Sequence, residues 1–137
     1  MIFVDSNVLI DVVGRRGDWA IWAEEALAGA RTEHKIVSNH IVLAELAPGF
    51  ESLEQLLGAF DFLEVTLLPL GAQAAFRAGQ ALTTYRRSGS KREGILADFL
   101  IGAHAVTLDA KLLTRDRQRF ASYFPELTLI TPEIENG

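Results

Sequence analysis

The chain has 137 residues, of which 49% are hydrophobic and 23% charged, with no cysteine and a formal net charge of −5. That balance suits one globular domain over residues 1–137 with its own core; it excludes a disordered chain, a disulfide framework and a thiolate zinc site. The opening Met1-Ile2-Phe3-Val4-Asp5 has no basic region before an apolar signal core, and no apolar run is long enough to span a bilayer. A soluble, cytoplasmic protein with no membrane partner is therefore expected.

Short β-like runs alternate with longer helical ones. Ile2-Phe3-Val4 reads as a strand, and residues 7–13 as one or two helical turns. Asp18 is placed to cap a helix running to about Ala30, with Trp19, Trp22, Ala23, Ala26, Leu27 and Ala30 as its apolar stripe. Residues 35–38 form a second strand, and Asn39 caps a helix that Pro48-Gly49 stops. A Ser52-capped helix to Phe60, a strand over 64–68 and a long alanine-rich helix over 71–87 follow.

Residues 88–94, rich in glycine, serine and charge, form the clearest loop. Residues 95–106 make a nearly all-apolar helix, and the strands 111–114 and 127–130 flank a short helical piece near 118–123. This alternation implies βαβ crossovers and a mostly parallel sheet covered on both faces, an α/β fold. Such sheets bind ligands beyond the carboxyl ends of their strands, which directs attention to polar residues there.

Asp5 closes the first strand, and Asn7 follows two residues later with a side chain able to hydrogen-bond a carboxylate or a water. A helix-capping aspartate accounts for Asp5 equally well. Glu45 lies in Ile41-Val42-Leu43-Ala44-Glu45-Leu46-Ala47, with Val42 and Ile41 one turn back. A carboxylate on an apolar helix face needs a partner, whether a site or an arginine, because burying it unpaired is costly. Asp98 is the single charge in Ile95-Leu96-Ala97-Asp98-Phe99-Leu100-Ile101-Gly102, so it points into the protein or a cleft. Asp116 follows the fourth strand in Thr114-Arg115-Asp116, where the Thr114 hydroxyl can hold a carboxylate or a water. Asp116 can also simply cap the helix after it. Asp11, Glu93 and Asp109 have loop-like or surface contexts.

Converging carboxylates repel: two at about 4 Å cost roughly 4 kcal/mol at an effective dielectric of about 20. Either some are protonated or cations neutralise them, and an all-oxygen donor set suits magnesium (Mg2+) or manganese (Mn2+) rather than zinc. His34, His40 and His104 read as surface, cap or core-edge residues, and the chain has no P-loop and no dinucleotide glycine fingerprint. The acidic total opposes a nucleic-acid partner, but Arg86, Arg87, Lys91 and Arg92 crowd one segment, and Lys111, Arg115, Arg117 and Arg119 another. On charge alone these are solvated surface runs.

Together these segments resemble the PIN-domain ribonucleases, in particular the VapC toxins of toxin–antitoxin pairs. The opening Ile2-Phe3-Val4-Asp5-Ser6-Asn7 is similar to the first acidic motif, and Ser38 to Gly49, around Glu45, to the second. Ala97-Asp98-Phe99-Leu100-Ile101-Gly102-Ala103 and Leu113-Thr114-Arg115-Asp116 with Phe120 are similar to the third and fourth. The resemblance covers essentially the whole chain. It implies a three-layer α/β/α PIN-like fold and a Mg2+- or Mn2+-dependent endoribonuclease, often a homodimer, inhibited by a cognate antitoxin.

Carried over, Asp5, Glu45, Asp98 and Asp116 form the catalytic metal site, with Asn7 and Thr114 in support. Arg86, Arg87, Lys91, Arg92, Arg115 and Arg117 are candidates for holding RNA. Two alternatives compete: a haloacid-dehalogenase-type phosphatase, which needs a second aspartate where Asn7 stands, and a catalytically silent RNA- or protein-binding module on the same fold.

Overall fold

The strand β1, Ile2–Val4, is wholly buried because it is sandwiched between two neighbours in the sheet and covered by helices on both faces; the computed structural model describes residues 1–14 and 17–132. From there the chain runs α1 (Ser6–Gly14), α2 (Ala20–Arg31), β2 (Ile36–Ser38), α3 (His40–Leu46), a 3-10 turn (Ala47–Gly49), α4 (Leu53–Phe62) and β3 (Val65–Leu67). It continues through α5 (Gly71–Arg87), α6 (Ile95–Thr107), β4 (Lys111–Leu113), α7 (Gln118–Ala121) and β5 (Leu129–Ile130). The described residues form a five-stranded, all-parallel sheet in the order β3-β2-β1-β4-β5 within a three-layer α/β/α fold.

The expected elements are found, with shifts at their ends that have local causes. Asn39 caps α3 as expected, its Oδ1 accepting from the amides of Ile41 and Val42 at 3.0 and 3.1 Å. Ser52 likewise caps α4 through the Gln55 amide. Asp18 is not a cap: α2 begins at Ala20, whose amide bonds the carbonyl of Gly17, a residue at φ +79°. A left-handed turn thus starts that helix without a side-chain acceptor. Trp19, expected in the apolar stripe, is exposed beneath the Arg115 guanidinium, whereas Ala23 and Leu27 do enter the core.

The core joins Phe3 and Val4 to Leu112 and Leu113 of the adjacent strand and to Phe99, Ile101, Phe120 and Phe124. The near-continuous burial of α6 fits its apolar sequence. Gly102 on that helix permits a close approach, since a Cβ there would lie 2.7 Å from the Phe124 ring. This seats α6, and Asp98 one turn before Gly102, against the segment after β4. No helix among the described residues is long and apolar enough to cross a membrane. The one-domain expectation also spanned residues 133–137, which lie outside the described residues.

Candidate active site

Strand order reverses beside β1: β2 lies on one side of it and β4 on the other. Their carboxyl ends therefore open into the crevice where parallel sheets bind ligands. Val4 pairs with Leu113, and the Asp5 amide donates to the Leu113 carbonyl at 2.9 Å, so Asp5 and Thr114 leave the sheet side by side.

Asp5 is completely buried. Its Oδ1 accepts from the Ser6 amide at 2.8 Å, and its Oδ2 accepts from the Thr114 hydroxyl at 2.8 Å. Burial pushes its pKa above the ordinary value, opposed by the Arg119 charge and these hydrogen bonds. The Thr114 hydroxyl oxygen also accepts from the Asp116 amide at 3.2 Å and from Asn7 Nδ2 at 3.4 Å. Asn7 Oδ1 accepts from the Arg115 amide at 3.2 Å. Asn7 and Thr114 thus fasten the start of α1 to the loop after β4.

Glu45 is exposed, which corrects its expected place on a buried helix face: Val42 and Leu46 take the inward positions of α3. Its partner is a hydroxyl rather than an arginine, since Ser6 Oγ donates to Glu45 Oε1 at 3.0 Å while lying 3.4 Å from Asp5 Oδ1. Desolvation raises the Glu45 pKa, with the Ser6 bond lowering it, Asp5 raising it and Arg119 lowering it in decreasing order. Nothing local in the sequence marks Ser6 as the bridge to Glu45, since a serine between Asp5 and Asn7 is an ordinary helix-start residue.

Asp98 is buried, as expected, but two arginines hold it. Arg92 Nη2 lies 2.8 Å from Asp98 Oδ2, and Arg119 Nε lies 3.2 Å from the same oxygen. Arg119 Nη2 also contacts Asp98 Oδ1, making a two-pronged pair. Arg119 Nη1 reaches to 3.6 Å from Asp5 Oδ2, and its Nε to 3.9 Å from Asp116 Oδ2. One guanidinium therefore faces three of the four acidic candidates. Its signal in the sequence was position: three residues after Asp116 on a helical segment, it returns to the same face.

Arg115 and Arg117, adjacent to Asp116 in sequence, turn elsewhere. Arg115 Nε lies 3.5 Å from Asp11 Oδ2, and Arg117 Nη2 donates to the Thr131 hydroxyl at 3.0 Å. Asp11, given a surface context by sequence, is buried by this packing. Arg86, Lys91 and Arg92 line an open cavity of about 760 Å³ between the end of α5 and the start of α6; Arg87 is exposed beside it.

His104 is also more deeply placed than a core-edge residue. It is 1% exposed and packs edge-on against Phe3. Asn39 uses Oδ1 for its cap, so its Nδ2 is the donor facing His104 Nδ1 at 3.0 Å. Burial lowers the imidazole pKa, opposed in smaller measure by the Pro69 backbone, so a neutral ring fits the core.

The oxygen-rich donor set of Asp5, Glu45, Asp98 and Asp116 fits a hard divalent cation in chemistry. As they stand, no group of three or more acidic or imidazole side chains among the described residues is disposed to hold one ion. The Arg119 guanidinium stands among these carboxylates instead.

A family model described as PIN domain matches residues 2–123. No curated protein sequence matches the chain. Among solved structures, VapBC2 from Rickettsia felis, bound to a promoter DNA fragment, superposes with TM-score 0.73 at 23% identity over 96% of this chain and 98% of that one. VapBC-1 from nontypeable Haemophilus influenzae gives TM-score 0.72 at 24% identity, with the same two coverages of 96% and 98%. A toxin–antitoxin complex from Klebsiella pneumoniae gives 0.69 at 22% identity over 97% of this chain and 98% of that one. At these identities the likeness is one of fold.

Proposed function

The chain belongs to the PIN-domain family, and from that premise we propose that it is a divalent-metal-dependent endoribonuclease, the toxin of a type II toxin–antitoxin pair. The observation that carries this reading is the gathering of Asp5, Asp98 and Asp116 around Arg119, with Glu45 joined to Asp5 through Ser6. Asp5, Glu45, Asp98 and Asp116 would hold Mg2+ or Mn2+. When bound, the cation supplies activation of water and stabilisation of charge on the phosphoryl group. Ser6 and Thr114 orient Asp5, and Thr114 with Asn7 keeps the Asp116 loop against it. Arg86, Arg87, Lys91 and Arg92 form the basic rim for the RNA backbone.

Cleavage products should carry 5′-phosphate and 3′-hydroxyl ends. A 2′-hydroxyl attack needs an acid–base pair, and His104 is buried with Nδ1 facing Asn39 while His40 is exposed at the start of α3. Incubating the purified chain with a pool of structured and unstructured RNAs, with and without Mg2+, tests the reading. Metal-independent cleavage or 2′,3′-cyclic phosphate ends would overturn this mechanism.

The toxin part of the proposal rests on an apolar surface beside the site. Ile10, Val13, Leu46, Pro48 and Phe50 line a cavity of about 330 Å³ together with Glu45. An amphipathic antitoxin helix fits such a groove, with a basic side chain reaching the carboxylates; a homodimer is the expected assembly of the toxin itself. Were the protein encoded beside this one neither to copurify nor to suppress cleavage, the nuclease would remain and the toxin assignment would fall.

A silent binding module is favoured by one observation: Arg119 already stands among the carboxylates and offsets part of their charge. A divalent-metal titration separates it from the nuclease.

A further inference from the structure

Three acidic side chains share one arginine that comes from the chain itself. Arg119 lies in the four-residue α7, its side chain 17% exposed. Its guanidinium carbon sits 5.4 Å from the Phe120 ring centroid, and its own amide donates to Asp116 Oδ1 at 3.4 Å. From that base the guanidinium reaches both oxygens of Asp98, Oδ2 of Asp5 and Oδ2 of Asp116.

We propose that Arg119 is a displaceable latch: its guanidinium occupies the space between Asp5 and Asp98 that a divalent cation must take, and it gives up those contacts when the cation enters. This rests on the metal-dependent reading above and adds to it a built-in competitor for the metal. A hard cation draws carboxylate oxygens to about 2.1–2.5 Å from a common centre, whereas a guanidinium holds them at hydrogen-bond distance along the edges of a planar fork. The two arrangements exclude each other. Arginine keeps its charge at any physiological pH, so the latch opens by movement of the side chain and not by loss of a proton.

Arg92 differs from Arg119 in being half exposed and contacting Asp98 alone among the acidic candidates. It can retain a hold on Asp98 at the rim while Arg119 leaves. The latch gives the cation-free protein a pocket whose negative charge is partly offset and limits metal binding to the fraction of molecules with the arginine withdrawn.

The experiment is calorimetric titration of Mn2+ into the purified full chain and its Arg119→Gln variant, without RNA. The variant should bind Mn2+ more tightly by about tenfold or more, and its metal-free form should melt at lower temperature. In the unaltered chain, the Arg119 Nε–Hε NMR signal should shift when Mg2+ is added. Equal or weaker Mn2+ affinity in a folded Arg119→Gln variant would overturn the latch and leave the metal site standing. Absence of Mn2+ binding by either protein would overturn both. Should Arg119→Gln fail to fold, Arg119→Lys keeps the charge but loses the fork, and must still bind Mn2+ more tightly for the latch to hold.

Discussion

Thr114 donates its hydroxyl proton to Asp5 Oδ2 over 2.8 Å, joining two buried side chains 109 positions apart in the sequence. The bond exists because β1 and β4 are parallel neighbours in register, ending at Val4 and Leu113. Thr114→Val keeps the shape but leaves Asp5 Oδ2 without its closest neutral donor. A buried hydrogen bond to an ionisable group is worth about 1.5–3 kcal/mol, so urea unfolding should show a loss of that order. Thr114→Ser should recover most of it. Equal stability of the valine variant would mean that Arg119 alone suffices for Asp5.

Asp98→Asn should abolish cleavage while the variant still folds. Repulsion between carboxylates, taken alone, would make the amide stabilising. Contacts from Arg92 and Arg119 reverse that sign, because neutralising Asp98 removes the carboxylate that Arg92 pairs with and one of the three that Arg119 faces. Thermal melts without metal should place the variant below the unaltered chain, by on the order of 1–3 kcal/mol. Wild-type cleavage by folded Asp98→Asn would remove Asp98 from the site.

Replacing Arg86, Arg87 and Lys91 with serine should weaken binding of single-stranded RNA and flatten its salt dependence by about 0.7 in slope for each phosphate no longer neutralised. Their place around an open cavity beside the start of α6 motivates this. Arg92 belongs to a different experiment, because its ion pair with Asp98 couples it to the metal. Unchanged affinity and slope in the triple variant would make the loop a solvated connector.

His104 should make stability depend on pH below neutrality. Its folded pKa is depressed by burial, while the unfolded imidazole takes a proton near the ordinary value of 6.5. The unfolded state therefore binds more protons below that value, and its contribution to stability is lost as pH falls from about 6.5 toward the folded pKa. It is fully present above that window. His104→Gln offers an acceptor to Asn39 and a donor to Pro69 without titrating. Urea midpoints at pH 7.5 and 5.5 should therefore differ less in the variant than in the unaltered chain, and equal differences would exclude His104 as the source.

Hydrophobic periodicity and cap chemistry, both local, were enough to read the alternation of strands and helices and the parallel sheet from the sequence. The long helix over Gly71–Arg87 and the Asn39 and Ser52 caps followed from residues within a few positions of one another. Asp98 also stood out locally, as a lone charge on an apolar helix. The helix over 18–30 misled at its start because a glycine turn replaced the expected side-chain cap.

What only the tertiary structure decided is which charge meets which. Arg115 and Arg117 adjoin Asp116 in sequence, yet their side chains go to Asp11 and Thr131, while Arg119, one turn further on, enters the acidic pocket. Ser6 bridges Asp5 to Glu45 only because α1 packs against α3. Sequence records that a carboxylate on an apolar face needs a partner; the crossing of strands and helices fixes the partner. Coulomb and hydrogen-bond energies depend on distances between atoms that the chain brings together from far-separated positions.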